Sequence, residues 1–365
     1  MQAGSLRYLL ALTASATIIA AAEWRTAKPG WRYEFPRDHH SHPEFKTEWW
    51  YFTGNLTGAS GERFGYQLTF FRQGIRSPKE RDPRWSRFIV GDLKFAHFTI
   101  TDGAGKRFRF QQKTSRGAFG DAGFDVEDRL AWIDDWTLRF DENGIFHLRA
   151  ETPEAAISLQ LEAKKPPVVH GADGVSKKAS DEGHASHYYS LTRLAAAGNM
   201  RIGIKNVQVR GESWFDHEWA TNQLAPDQVG WDWLSVAFDD GTELMLYQMR
   251  LQDGGKDPAS SGTWIGVDGG TTQLKASAYR MLPKTWWNSR TTGARYPIGW
   301  RVDLPDRSLQ IDIHPVLEDQ ELALTPLAYW EGAVDVTGTR DGRPISGKGY
   351  LELTGYAGPL RELQR

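Results

Sequence analysis

The sequence predicts an all-β protein made of two tandem copies of one unit. Three observations carry this. Nearly every segment alternates polar with aromatic or β-branched residues at a period of two, as in Phe64–Phe71, Thr137–Phe140, Ile157–Leu161, Ile202–Val209, Leu244–Leu251 and Leu309–Ile313. Beyond the first twenty or so residues, no amphipathic stretch is long enough for a three-turn helix. Finally, one pattern is written twice: Gly211-Glu212-Ser213-Trp214-Phe215-Asp216 and Gly347-Lys348-Gly349-Tyr350-Leu351-Glu352 both run glycine, aromatic three residues on, acid five residues on.

The repeat has further members in the same order. Trp49-Trp50-Tyr51 opens a hairpin that ends in Tyr66-Gln67-Leu68 and Arg72, with Gly58–Gly61 at the turn. Trp231-Asp232-Trp233 opens another that ends in Tyr247-Gln248-Met249-Arg250, turning at Asp239-Asp240-Gly241. Phe98-Thr99-Ile100-Thr101-Asp102-Gly103 is echoed by Trp264-Ile265-Gly266-Val267-Asp268-Gly269. Three echoes in one order argue for duplication. Asn222–Gln228 is the natural boundary, dividing the chain into units 31–222 and 228–361. Many short strands at regular spacing leave a barrel or a sandwich open for each unit. Lys164–Gly183, with Pro166-Pro167 and no apolar periodicity, reads as a long loop that could cover a barrel mouth, and Gly254–Gly262 as a second loop.

Composition narrows the function. The 365 residues carry a net charge of −2 with no Lys/Arg block, which argues against a nucleic-acid partner. Cysteine is absent, which excludes disulfides, thiolate metal sites and Cys nucleophiles. Neither a nucleophile elbow nor a phosphate loop nor a dinucleotide fingerprint is present, and no cofactor is expected. Sixteen Trp, twelve Tyr and seventeen Phe fit either sheet cores or an aromatic pocket for a hydrophobic small molecule. Residues 1–22, with Arg7, the apolar Leu9–Ile19 and Ala20-Ala21-Ala22, read as a signal peptide for export, with an N-terminal anchor as the alternative.

Chemistry concentrates around Asp216. Trp214, Asp216 and Glu218 share one strand face, spaced about 6.6 Å apart, and Phe215, His217 and Trp219 share the other. An acid between tryptophans loses hydration, so its pKa rises and it becomes a proton donor near neutrality. The alternative is that Asp216 pairs with an Arg or Lys and serves the fold. Asp216, His217 and Glu218 are the candidate catalytic residues, with His217 as general base or orienter. Glu48, Trp50, Tyr51, Trp214, Trp231, Trp233, Tyr247, Trp330, Glu331, Tyr350 and Glu352 repeat the acid-and-aromatic theme and are the candidate ligand-binding set. The histidines His39, His40, His42, His184, His187 and His217 cluster, but loop solvation explains them better than a metal, and no metal site is expected.

These segments resemble one family. His42-Pro43, Glu48-Trp49-Trp50-Tyr51 with Thr53-Gly54-Asn55-Leu56, Ser186-His187-Tyr188-Tyr189-Ser190, Ser213–Trp219, Tyr329-Trp330-Glu331-Gly332 and Gly349–Tyr356 are similar to the AttH-like and carotenoid 1,2-hydratase family, whose members are often labelled secreted hydrolases. The likeness covers the chain after about residue 30. It implies two tandem lipocalin-like (calycin) barrels, an exported or periplasmic protein, and either of two roles. One is binding of a lipid or isoprenoid-like ligand in an aromatic-lined barrel, as accessory to an ABC transporter. The other is a hydro-lyase or hydrolase in which Asp216 protonates an alkene.

Overall fold

The computed structural model describes residues 24–360, apart from 83, 85, 87, 182, 325, 326 and 359. The expected signal segment 1–22 lies outside the described residues, among which no helix is long and apolar enough to cross a membrane.

The first half runs through β1 (Thr47–Gly58), β2 (Arg63–Gly74), β3 (Asp92–Asp102) and β4 (Arg107–Ser115). Short strands follow: β5 (Ala122–Val126), β6 (Arg129–Ile133), β7 (Trp136–Phe140), β8 (Ile145–Glu151) and β9 (Ala155–Ala163). A strap holding β10 (Val168–Val169) and β11 (Ser176–Lys177) leads to the long β12 (Ala185–Ile202) and β13 (Lys205–Ala220). The second half has β14 (Gln228–Phe238), β15 (Glu243–Leu251), β16 (Ser261–Ile265), β17 (Thr271–Lys275) and β18 (Arg280–Asn288). It closes with β19 (Arg295–Leu304), β20 (Leu309–Pro315), β21 (Glu321–Leu322), β22 (Tyr329–Arg340) and β23 (Arg343–Leu353).

Among the described residues the paired strands are all antiparallel and form two sheets. The first is ordered β4-β3-β2-β1-β13-β12-β9-β8-β7-β6-β5, the second β17-β16-β15-β14-β23-β22-β20-β19-β18. The second order repeats the first strand for strand, with β14 in the place of β1, β23 of β13 and β22 of β12; the first half adds the β5–β6 hairpin. Duplication is therefore written into the topology, and each sheet curls into a lipocalin-like barrel. The expected strand Ile202–Val209 is strand from Lys205 on, but a hairpin turn interrupts its start: β12 ends at Ile202, Gly203 takes a φ of +57°, and β13 starts at Lys205. The β-branched Ile and Val residues on both sides conceal the turn in the sequence.

Each barrel is filled by its own side chains. Trp50, Phe52, Leu68, Phe146 and Phe215 pack the first, and Trp300, Trp330, Val334, Leu351 and Leu353 the second. A third cluster lies between the sheets, where Tyr51, Tyr188 and Trp214 meet Trp233, Tyr247, Ala333 and Tyr350. Alternation produces this: each central strand sends one set of side chains into its own barrel and the other into the seam. Hydrogen bonds cross the seam from Asn55 Nδ2 to the Gly349 carbonyl (3.1 Å) and from Thr101 Oγ1 to Gln320 Oε1 (2.6 Å). Ion pairs Arg193–Glu243 (2.6 Å) and Lys165–Glu243 (2.7 Å) add to them.

Candidate functional site between the barrels

β13 turns Trp214, Asp216 and Glu218 to the seam and Phe215, His217 and Trp219 to the barrel core, as alternation requires. Asp216 is 4% exposed. Trp214 Nε1–H donates to its Oδ1 (2.6 Å), Ser190 donates to the same oxygen, and the Tyr188 hydroxyl donates to Oδ2 (2.8 Å). No cation pairs with it among the described residues; the buried lysine nearby, Lys178, pairs with Glu218 instead (2.8 Å). Burial therefore dominates, and three neutral donors only partly offset it, so the Asp216 carboxyl is pushed up to about 7.

Two more acids face the seam from the second sheet. Glu331 on β22 and Glu352 on β23 are register partners, so their side chains are cross-strand neighbours. Glu331 is fully buried; Tyr51 donates to its Oε1 (2.5 Å), and its Oε2 has no hydrogen-bond partner. Burial, and then the charge of Glu352, raise it well above the carboxylate range. Glu352 is partly exposed and accepts from Trp231 Nε1–H (2.8 Å). Desolvation drives its pKa up to about 7, and the charge of Asp216 adds to that.

The duplication relates these groups. Tyr51 is the register partner of Asp216, and Trp233 that of Glu352; Ser190 is opposite Asp216, as Glu331 is opposite Glu352. Asp216 and Glu352 are thus equivalent positions, as are Tyr188 and Tyr329. At the centre Tyr51 and Trp233 meet edge to face, with ring centroids 5.4 Å apart, and Trp233 Nε1–H donates to the Tyr188 hydroxyl (3.1 Å). A crevice of about 310 Å³ opens the seam to the surface, lined by Thr53, Ser213, Trp214, Ser235, Gly349 and Tyr350. Trp214, whose indole N–H bonds Asp216, is part of this lining; Asp216 itself is not. A larger cleft of about 1120 Å³ lies beside the Trp24–Glu44 segment; Arg25–Glu44 and Arg37–Asp38 pair there, and no raised carboxyl lines it.

Of the residues singled out in the sequence, Asp216, Glu218, Tyr51, Trp214, Trp231, Trp233, Tyr247, Glu331, Tyr350 and Glu352 come together at the seam. Glu48, Trp50, His217 and Trp330 do not. Trp50 and Trp330 are fully buried in the barrel cores, donating to the carbonyls of His39 and Glu318. His217 lies on the barrel side, its Nε2 3.0 Å from Glu48 Oε1, so it cannot orient water for Asp216. Apart from Trp50 and Trp330, the candidate aromatics therefore lie between the barrels and not in a barrel interior, which side chains already fill.

Glu48, His42 and His217 place ligand-type atoms within 4.8 Å of one another. Their contacts are hydrogen bonds, however. Glu48 accepts from the His42 backbone, meets both imidazoles, and takes Arg72 Nε–H (3.1 Å). Burial opposes its ionisation, but bonds from His217 and His42 and the Arg72 charge outweigh that and hold it well below the carboxylate range. A cation there would displace these bonds and face a guanidinium. The group instead pins the Asp38–His42 segment across the barrel end, with His42 stacked on Trp219 at 3.7 Å.

Sequence reasoning passed over Tyr188, Ser190, Lys178 and His170. The first two had a signal, since alternation in Ser186-His187-Tyr188-Tyr189-Ser190 puts Tyr188 and Ser190 on one face. The strap residues had none.

Fold and site together define a tandem lipocalin-like protein with buried acids at the seam between its barrels. The sequence profile of the AttH-like family matches residues 26–356, and the chain belongs to that family. It is 33% identical to an AttH protein of Nitrosomonas europaea of known structure, over 91% of this chain and 99% of that one, with a TM-score of 0.81. Kievitone hydratase from Nectria haematococca shares the fold at 13% identity and a TM-score of 0.68, over 89% of this chain and 93% of that one. The dehydratase asqC of Emericella nidulans is 22% identical over 227 residues, 58% of this chain and 62% of that protein, so the match spans less than two thirds of that relative.

Proposed function

We propose that the protein is a cofactor-free lyase that adds water to, or removes it from, a double bond of an apolar substrate held between the barrels. The observation that carries this is the pair of acids from opposite sheets, Asp216 and Glu352, each pushed to about 7, with the charge of Asp216 helping to raise Glu352. Two carboxyls that repel each other ionise one after the other, which leaves one acid and one base near neutral pH. Trp214 N–H can only donate and so keeps Asp216 Oδ1 as acceptor; Oδ2 then carries the labile proton.

For hydration, Asp216 Oδ2–H gives its proton to an alkene carbon and the π pair forms the new C–H bond. The cation so formed faces Trp233 and Tyr51, where a dry aromatic face contributes about 2 kcal/mol. Ionised Glu352, at the more open end, takes a proton as water forms the C–O bond. The net change is one water added, and the two carboxyls have exchanged protonation states. Dehydration runs the same steps in reverse. The hydratase and dehydratase among the similar proteins support the reaction class, and the aromatic lining supports an apolar substrate.

The test uses apolar polyenes and their hydroxylated counterparts in H2-18O, read by mass spectrometry. The wild-type chain is expected to incorporate label, and Asp216→Asn to lose at least about 100-fold in rate while still binding. Equal rates in the two would overturn the catalytic role. Tight binding of a lipid without label incorporation by the wild type would leave the alternative, a carrier of hydrophobic molecules serving an ABC transporter. Export through residues 1–22 and two domains at 31–222 and 228–361 belong to the same proposal; the leader-like sequence and the break between the sheets after Ala220 support them.

A further inference from the structure

The strap between β9 and β12 pairs with β12 through β10 and β11 and also reaches the second sheet. Lys165 reaches Glu243 and the carbonyls of Gly241 and Gly266, Gly171 N–H donates to Gln273 Oε1 (3.1 Å), and Ser176 and the Lys177 carbonyl hold the Tyr247 hydroxyl. In its middle sits His170, 1% exposed, its ring 4.2 Å from that of Tyr188. His170 Nε2 is 2.6 Å from Ser190 Oγ, and Nδ1 is 2.8 Å from Thr263 Oγ1 on β16. Ser190 in turn donates to Asp216 Oδ1. An unbroken chain, Thr263–His170–Ser190–Asp216, therefore runs from the second sheet through the strap to the acid.

The direction of that chain follows from counting protons. Ser190 has one hydroxyl hydrogen, and it goes to Asp216. The Ser190 oxygen can then only accept from His170, which must carry its hydrogen on Nε2. Burial, with Lys178 nearby, lowers the His170 pKa to about 3, so the ring is neutral and has a single N–H. Nδ1 is left as an acceptor for the Thr263 hydroxyl, whose other acceptor, Gln273 Oε1, is farther away at 3.1 Å.

We propose that His170 is a positioning residue for Asp216: as the Nε2–H tautomer it turns the Ser190 hydroxyl onto Oδ1 and so assigns the proton that reacts to Oδ2, the oxygen beside the Tyr188 hydroxyl. The strap thereby ties its own docking to the readiness of the acid, because lifting it removes His170 and frees the Ser190 hydroxyl to rotate. The inference rests on Asp216 as the working acid only for its consequence in turnover; the hydrogen-bond chain is testable without substrate. The other titratable groups facing Asp216 are Tyr188 on β12, Glu218 on β13, Tyr51 on β1, Glu331 and Glu352 on β22 and β23, and Lys178 on the strap.

Imidazole nitrogen NMR of the full-length, ¹⁵N-histidine-labelled protein tests this directly. His170 is expected to show a protonated Nε2 and a bare, hydrogen-bonded Nδ1 from pH 5 to 9. A protonated Nδ1 overturns the proposal. The carboxyl carbon of Asp216 supplies the second reading. In His170→Phe its titration midpoint should rise by roughly 0.5 to 1 unit, the worth of one oriented donor. His170→Gln, which keeps a donor near the Nε2 position, should restore it. Ser190→Ala should raise the midpoint too, and adding His170→Phe to it should change nothing more. A midpoint unmoved in folded His170→Phe, or additive shifts in the double variant, also overturns it. If the tautomer is as stated and no label enters any substrate, the proposed reaction fails and the positioning survives; the converse pair of results separates them the other way.

Discussion

Asp216 has partners for both oxygens and a counter-charge for neither, and its chemistry follows from that. Three neutral donors stabilise its carboxylate less than burial destabilises it, so near neutral pH a substantial fraction of the molecules hold it protonated. The consequence for stability has a definite sign. The folded pKa, about 7, lies above the unfolded value near 3.8, so between these values the native state holds a proton that the unfolded chain has released. The protonated native form is fully favoured below the unfolded pKa, and stability falls as pH rises through that window. Asp216→Asn removes this dependence. Urea unfolding at pH 4.5 and pH 8.5 should show the variant gaining on the wild type at the higher pH, by up to about 4 kcal/mol. An identical pH dependence in both would mean that Asp216 is an ordinary ionised carboxylate. Trp214→Phe, which deletes the N–H on Oδ1 and keeps an aromatic, should move the midpoint of Asp216 further up in a carbon-detected titration.

At the scale of elements, the strap is the most informative about the site. Lys164–Gly183, which the sequence offers as a long loop that could cover a barrel mouth, joins β9 to β12 of the first sheet, touches the second sheet on the way, and places His170 and Lys178 beside β12 and β13. Its role was illegible because its side chains follow no period: Lys165, His170 and Lys178 each answer a different polar group, on β15, β12 and β13. Lys178, buried against the rings of Tyr188 and Tyr247, loses solvation, but the Glu218 charge outweighs that and raises its pKa. Lys178→Met leaves Glu218 an unpaired buried charge and should cost about 3–5 kcal/mol in urea unfolding, most of it recovered in Lys178→Met with Glu218→Gln. No recovery in the double variant would show that the lysine acts through packing alone. The strands were more legible. Hairpins β1–β2 and β14–β15 share aromatic openings and a closing arginine, and β13 and β23 share the glycine–aromatic–acid spacing, so duplication could be read before any coordinates. What alternation cannot say is which face looks inward. Both faces of β1 and β13 are buried, and that is why Glu48, Trp50 and His217 read as companions of Asp216 while they sit behind it.

For the whole molecule, the seam makes two barrels one functional unit. Each half brings acids and aromatics that are incomplete alone: Tyr51 of the first sheet bonds Glu331 of the second, and Trp233 of the second bonds Tyr188 of the first. Produced separately, residues 24–222 and 228–360 should each expose their seam aromatics, bind an apolar dye and reassociate when mixed. Two halves that stay monomeric and dye-free would mean that the seam contributes little. The aromatic excess of the composition is accounted for twice over, by the barrel cores and by the seam between them, which is why composition could not separate core from pocket. The account stands or falls on the protonation of its central acid, and the most direct measurement is the carboxyl-carbon NMR titration of Asp216 in the wild-type protein. The structure predicts a midpoint near 7, displaced downward when Glu218→Gln removes the neighbouring charge that opposes its ionisation. A midpoint near 4, indifferent to Glu218, would contradict it and leave Asp216 an ordinary ionised carboxylate at the seam.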